Sequence, residues 1–191
     1  MLIPKEKKRE YPAIIILHGH SETNAFCIKE RFELTDPLVR RGGFILISPQ
    51  FRAMNADMEE YYITRRLMSN GFTLMGMRVY EFLLVVKYLR YLKEIDHSRI
   101  GLLGHSGGSV VANLGVRLTD AINAEVKDWD SNYLESGHCE DVPILYPYVK
   151  VINDEKTLPI PVLKMPYYLK DYNGRKKIIK FFLKHLKLNI K

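Results

Sequence analysis

The pentapeptide Gly104-His105-Ser106-Gly107-Gly108 constrains this chain more than any other stretch. It follows the apolar run Ile100-Gly101-Leu102-Leu103 and precedes Val110-Val111-Ala112-Asn113-Leu114. A G-x-S-x-G pattern therefore stands between a predicted strand and a predicted helix, the setting of a nucleophile elbow. In so tight a turn, side chains two positions before and after the serine would collide, hence glycine at 104 and 108. The turn strains the serine backbone and exposes its hydroxyl at the strand's C-terminal end. The following helix aims its first N–H groups at the same point, ready for developing negative charge.

The rest of the chain supplies the fold that such a turn needs. Tyr11-Pro12-Ala13-Ile14-Ile15-Ile16-Leu17 is continuously apolar and runs into His18-Gly19-His20, which predicts a buried parallel strand and a loop. Residues 26–41 have helical apolar spacing and stop at Gly42-Gly43, with Pro37 predicted to divide them into two short helices. Phe44 to Pro49 predicts a second buried strand, and a polar, irregular loop with Arg52, Asn55 and Asp57 follows. Val79 to Leu92 predicts a helix with an apolar stripe through Phe82, Leu83, Val86 and Leu89. Asp96-His97-Ser98-Arg99 is a turn into the elbow strand, and Ile122 to Val126 a weaker strand of alternating polarity. Residues 129–157 are an irregular excursion, Leu158 to Leu163 a last strand, and Arg175 to Leu188 an amphipathic helix. Alternating strands and helices predict one α/β domain over residues 1–191, a three-layer sandwich around a mostly parallel sheet. Ligands of such sheets bind outside the carboxyl ends of the strands, where His18-Gly19-His20, Ser48-Pro49-Gln50 and Gly104-His105-Ser106 all fall.

Composition narrows the partners. The chain of 191 residues carries a net charge of +7. Nine of its 29 Lys/Arg and only one of its acids lie in residues 164–191, so the remainder is balanced, with 20 basic and 21 acidic residues. The basicity belongs to one terminal segment, which includes the last helix, and no nucleic-acid motif accompanies it. That helix is expected to pack on the sheet with a solvated lysine face rather than to bind a membrane. The charged N-terminus has no secretory apolar core, and two cysteines, Cys27 and Cys139, form no disulfide framework. A reducing cytoplasm is the expected location.

Acyl transfer at the sheet edge requires a nucleophile, a base, a group orienting the base, and donors for the oxyanion. Ser106 is the candidate nucleophile, and the N–H of Gly107 one oxyanion donor. The loop after the first strand supplies the second: Gly19 lets the backbone approach, and the N–H of His20 or Ser21 donates.

With these motifs, and with Phe72 to Tyr80 and Asp96-x-x-Arg99-Ile100-Gly101, the chain resembles the α/β-hydrolases over roughly residues 11–165. It is most similar to their dienelactone hydrolase and acetyl-xylan-esterase-like branch, His138-Cys139 and Val142-Pro143 included. The resemblance implies a Ser-Asp-His triad and hydrolysis of small carboxylic esters without metal or organic cofactor. It also implies departures. The chain begins at what would be the third strand, leaving the first strand's edge exposed for pairing with a second copy. The segment between triad acid and histidine is missing, and Lys170 stands where the histidine would be. His138, followed by Glu140 and Asp141, is the loop histidine that could replace it as base. Lys170 in a Ser-Lys arrangement is an alternative, and a structural or pocket-lining role for His138 another. His18 and His20 are read as shaping their loop, and His105 as packing the elbow. Cys139 is not read as a metal ligand. Two readings stand: a serine-dependent ester hydrolase acting through an acyl-Ser106 intermediate, or a hydrolase-like protein that binds without catalysis.

Overall fold

The computed structural model describes residues 1–6, 9–25, 32–55, 57–128, 158–164 and 171–186. Five parallel strands form one sheet: β1 (Tyr11–Leu17), β2 (Ile45–Ile47), β3 (Ile95–His105), β4 (Ala124–Asp128) and β5 (Val162–Lys164). Their order across the sheet is β2-β1-β3-β4-β5. The helices are α1 (Phe32–Arg40), α2 (Asp57–Met68), α3 (Leu74–Leu89), α4 (Gly107–Gly115) and α5 (Tyr172–Leu186). The α/β sandwich is the architecture expected from the alternation of apolar runs and amphipathic stripes.

All seven residues of β1 are buried, so its uninterrupted apolar run reflects cover on both faces. Ala13, Ile15 and Leu17 pack toward α3 and α4 with Val79, Phe82, Val86, Val110 and Val111. Ile14 and Ile16 pack the other way, with Leu34 and Leu38 of α1 and Ile178, Phe182 and Leu186 of α5. Spacing of four along α5 puts these three apolar groups on one stripe, against the sheet. Register then aligns the strand ends: Leu17 pairs with Gly104, and His105 with Asp128. The residues after β1, β3 and β4 thus meet at one edge.

Several expectations change. β1 lies between β2 and β3, so the first strand has no exposed edge. The outer strand there is β2, and Leu2 caps it through an antiparallel bridge to Leu46. Pro37 sits inside α1 rather than dividing the described part of it. α3 begins five residues earlier than its apolar stripe suggests, because Thr73 caps it by accepting from the Gly76 N–H at 3.0 Å. Asp96–Arg99 belong to β3 as an irregular stretch, where Asp96 accepts from the Ser98 N–H at 2.9 Å. β4 is fully buried despite its alternating polarity, since Lys127 donates to Asn113 at 2.8 Å and lies 3.7 Å from Glu125. The polar loop gives way at Asp57 to α2, whose inward residues are Glu60 and Thr64. An inward face made of a carboxylate and a hydroxyl leaves no hydrophobic signal to read.

Candidate functional site

Ser106 occupies φ 49°, ψ −123°, a left-handed conformation that costs a non-glycine residue energy. The neighbours hold it there. A Cβ on Gly104 would stand 2.6 Å from Ser109 Cα, and one on Gly108 would stand 2.6 Å from the His18 carbonyl oxygen. Both obstacles are backbone, so both positions require glycine. The Ser106 N–H donates to the Asp128 carbonyl at 3.2 Å, extending the β3–β4 pairing into the turn. α4 starts at Gly107, and its first amides have no acceptor within the helix. Two other non-glycine residues with positive φ, Ser21 (58°) and Ala53 (53°), follow β1 and β2 at the same edge.

The loop after β1 closes on the elbow. A Cβ on Gly19 would stand 2.9 Å from Ser106 Cβ and 3.1 Å from His105 Cδ2. The Ser21 N–H is engaged with the Met54 carbonyl at 2.8 Å, which leaves His20 as the second donor weighed from the sequence. The Gly19 N–H donates to Glu22 Oε2 at 2.9 Å. Glu22 Oε1 lies 3.5 Å from His105 Nε2, while His105 Nδ1 pairs with Asp128. His105 therefore links the β1 loop to the end of β4 through two carboxylates.

His18 is fully buried. Its Nδ1 lies 2.9 Å from the Gly19 carbonyl, and its Nε2 accepts the Phe51 N–H at 3.2 Å. Burial pushes its pKa down, although the Gly19 carbonyl and Glu22 pull upward. A neutral ring with Nδ1–H donating and Nε2 accepting satisfies both contacts.

A second polar chain comes from elements the sequence did not connect. His20 Nε2 is 3.3 Å from Glu60 Oε1 on α2, and Glu60 accepts Arg78 Nη1–H at 2.9 Å. Arg78, on α3, is entirely buried and also donates to the Arg52 carbonyl from Nε and Nη2, at 3.2 and 3.1 Å. The three side chains lie 40 and 18 positions apart, so spacing could not have shown the contact. The only available signal was a lone arginine on the apolar side of α3.

Of the residues proposed from sequence, the structure brings Gly19, His20, Ser106 and Gly107 together. His138, Cys139, Lys170 and the whole excursion 129–157 lie outside the described residues. A groove lined by Val86, Val116 and Leu158 lies at the far end of α4, away from Ser106. Among the described residues, no group of three or more His, Cys, Asp or Glu side chains could hold a metal ion. No helix among them is long and apolar enough to cross a membrane.

A parallel sheet sandwiched by helices, with a left-handed serine between β3 and α4, defines an α/β-hydrolase fold. The dienelactone hydrolase family model matches residues 1–140, and the chain belongs to that family. Solved structures agree on the fold. A Bacteroides fragilis protein described as an acetyl xylan esterase superposes with a TM-score of 0.60 at 18% identity, over 70% of this chain and 42% of its own. This chain thus spans less than half of that protein. The acetyl xylan esterase of Paenibacillus sp. R4 gives 0.62 at 11% identity, over 96% of this chain and 78% of its own. A dienelactone hydrolase-like promiscuous phosphotriesterase from metagenomic libraries gives 0.57 at 11% identity, over 94% and 88%. No curated protein sequence matches the chain.

Proposed function

We propose that this protein hydrolyses small carboxylic esters through an acyl-serine intermediate on Ser106. The observation that carries the reading is the Ser106 backbone at φ 49°, ψ −123°, at the carboxyl edge of a parallel sheet and the N-terminus of α4. Strain of this kind costs about 1–3 kcal/mol and persists where the surroundings over-determine it. Membership of the dienelactone hydrolase family supports the reaction class. The acetyl xylan esterases of similar fold point to a short acyl group.

Ser106 Oγ attacks the ester carbonyl, and negative charge gathers on the carbonyl oxygen. The N–H groups of Gly107 and His20 receive it, with Gly19 permitting the approach and the α4 dipole adding favourable potential. The reaction requires no organic cofactor or metal, and the site needs one imidazole to move the serine proton. His138 is the candidate from the sequence, on the stretch following β4. The cytoplasm remains the proposed location.

Turnover of p-nitrophenyl acetate tests the proposal. Ser106→Ala is expected to lower it at least about a thousandfold, to the background of the folded protein. Turnover retained by Ser106→Ala would remove the serine from the mechanism.

A further inference from the structure

A helix lying on a sheet normally turns apolar residues inward and charge outward. α5 does so: Ile178, Phe182 and Leu186 are buried, and Lys176, Lys180 and Lys184 are exposed. α3 does not. Its inner side buries Met75, Val79, Phe82, Val86 and Leu89. Its outer side carries Tyr80 (57% exposed), Leu84 (45%) and Tyr88 (56%), and Tyr91, just past its end, is 72% exposed. Intervals of four, four and three residues put these side chains on one stripe, directly opposite the core. A helix apolar on both sides calls for cover on both. We propose that the outer face of α3 is a homodimer interface, packed antiparallel against α3 of a second copy with the two-fold axis at Leu84.

The stripe is self-complementary about that residue. In an antiparallel pair, positions equally far from the axis on its two sides meet at one level. Tyr80 meets the second copy's Tyr88, and half-buried Met77 meets the second copy's Tyr91. The two-fold also keeps each flank of the stripe on its own side. One flank brings Lys87 beside the second copy's Tyr80, and the other brings Glu81 beside the second copy's Tyr88. An ammonium against a phenol ring and a carboxylate against a phenol hydroxyl are both favourable. Lys87 is exposed and its side chain makes no ion pair among the described residues, while Glu81 also holds Arg52. The groove at the far end of α4, which Lys87 lines with Leu83, Val116 and Leu118, opens on the Lys87 flank. It offers the second copy's Tyr80 an apolar wall.

The surface is large enough for such a pair. Two copies present roughly 1,000 Å² in these four side chains, and a specific interface buries about 1,000 Å² or more in total. Met77, Lys87 and the groove add to this. An interface of that size sits at the weak end, with a dissociation constant in the micromolar range. Tyrosine in place of surface charge is also the composition of an interface centre. The pairing is independent of the acyl-serine chemistry.

Sedimentation equilibrium of the full chain tests it, from about 1 µM to about 1 mM, a span that brackets such an affinity. The wild type is expected to pass from monomer to dimer across this range. Leu84→Glu sets two carboxylates at the axis and should weaken the dimer at least about 100-fold. Tyr88→Lys should also weaken it, and Lys180→Glu, on the outer face of α5, should leave it unchanged. Because Leu84 and Tyr88 are exposed, both variants should melt with the dilute wild type. A residue on the axis meets its own copy, so Leu84→Cys should cross-link to itself on mild oxidation. Lys180→Cys and the wild type, which has Cys27 and Cys139, give the baseline. If Leu84→Glu fails to fold, Tyr88→Lys and the cross-link decide. A wild type that stays monomeric to the top of the range overturns the proposal and leaves the face to another occupant. So does a dimer that survives both Leu84→Glu and Tyr88→Lys, or a Leu84→Cys that cross-links no faster than the baseline.

Discussion

The two faces of the sheet are built from the same strands but differ in kind. Toward α1 and α5 the core is dry: Ile14, Ile16, Leu46, Leu103, Phe182 and Leu186 meet with little polar company. Toward α3 and α4 there is again an apolar core, but its carboxyl edge carries Arg78, Glu60 and His18, all buried. Burying such groups costs free energy that only good pairing offsets, so an apolar substitute would often be as stable. The Arg78–Glu60–His20 network beside α3 and α4 singles that face out as the candidate working one. The helix macrodipole adds to this asymmetry: α4 presents its N-terminus where β1, β3 and β4 end. The lesson is that substitutions on the α5 face should change stability alone, whereas those on the α3–α4 face should change chemistry as well.

The largest effect expected is on chemistry: Ser106→Ala should remove turnover while leaving the melting temperature close to the wild type. Next comes Phe182→Ala on the dry face. It should cost about 3–5 kcal/mol, read from denaturant unfolding, with turnover per folded molecule unchanged. A turnover loss larger than the unfolded fraction would break the separation of faces. Thr73→Ala removes the cap of α3, the helix that carries Arg78, and should cost about 1 kcal/mol by the same measurement. The smallest effect is a slope with pH. Burial holds His18 below its ordinary 6.5, so below about pH 6.5 the unfolded chain takes up a proton that the native ring refuses. Stability should therefore be fully present above that pH and fall as the solution is acidified. His18→Phe, if it folds, should flatten that part of the curve.

What the sequence reveals follows from which physical demands leave a local trace. The elbow is legible because Gly104 and Gly108 each avoid a backbone atom, and no other residue serves. β1 is legible because burial on both faces demands an unbroken apolar run. α2 is not, because it turns Glu60 and Thr64 inward and so has no apolar stripe. β4 looks half-exposed because its Glu125 and Lys127 are buried near one another, a compensation that only the three-dimensional arrangement reveals. The same reason hides half of the candidate site. Ser106, Gly19 and Gly107 sit in two short motifs, whereas Glu60 and Arg78 reach His20 only after α2 and α3 have docked. The exposed first strand was an error of order: sequence position put β1 at the edge, and pairing with both β2 and β3 puts it inside.

The central claim is that the strained serine is a nucleophile. Fluorophosphonate treatment followed by peptide mass spectrometry tests it most directly. The account predicts a single adduct on Ser106, absent from Ser106→Ala. An unmodified Ser106 at saturating probe, or an adduct on another serine, would contradict it.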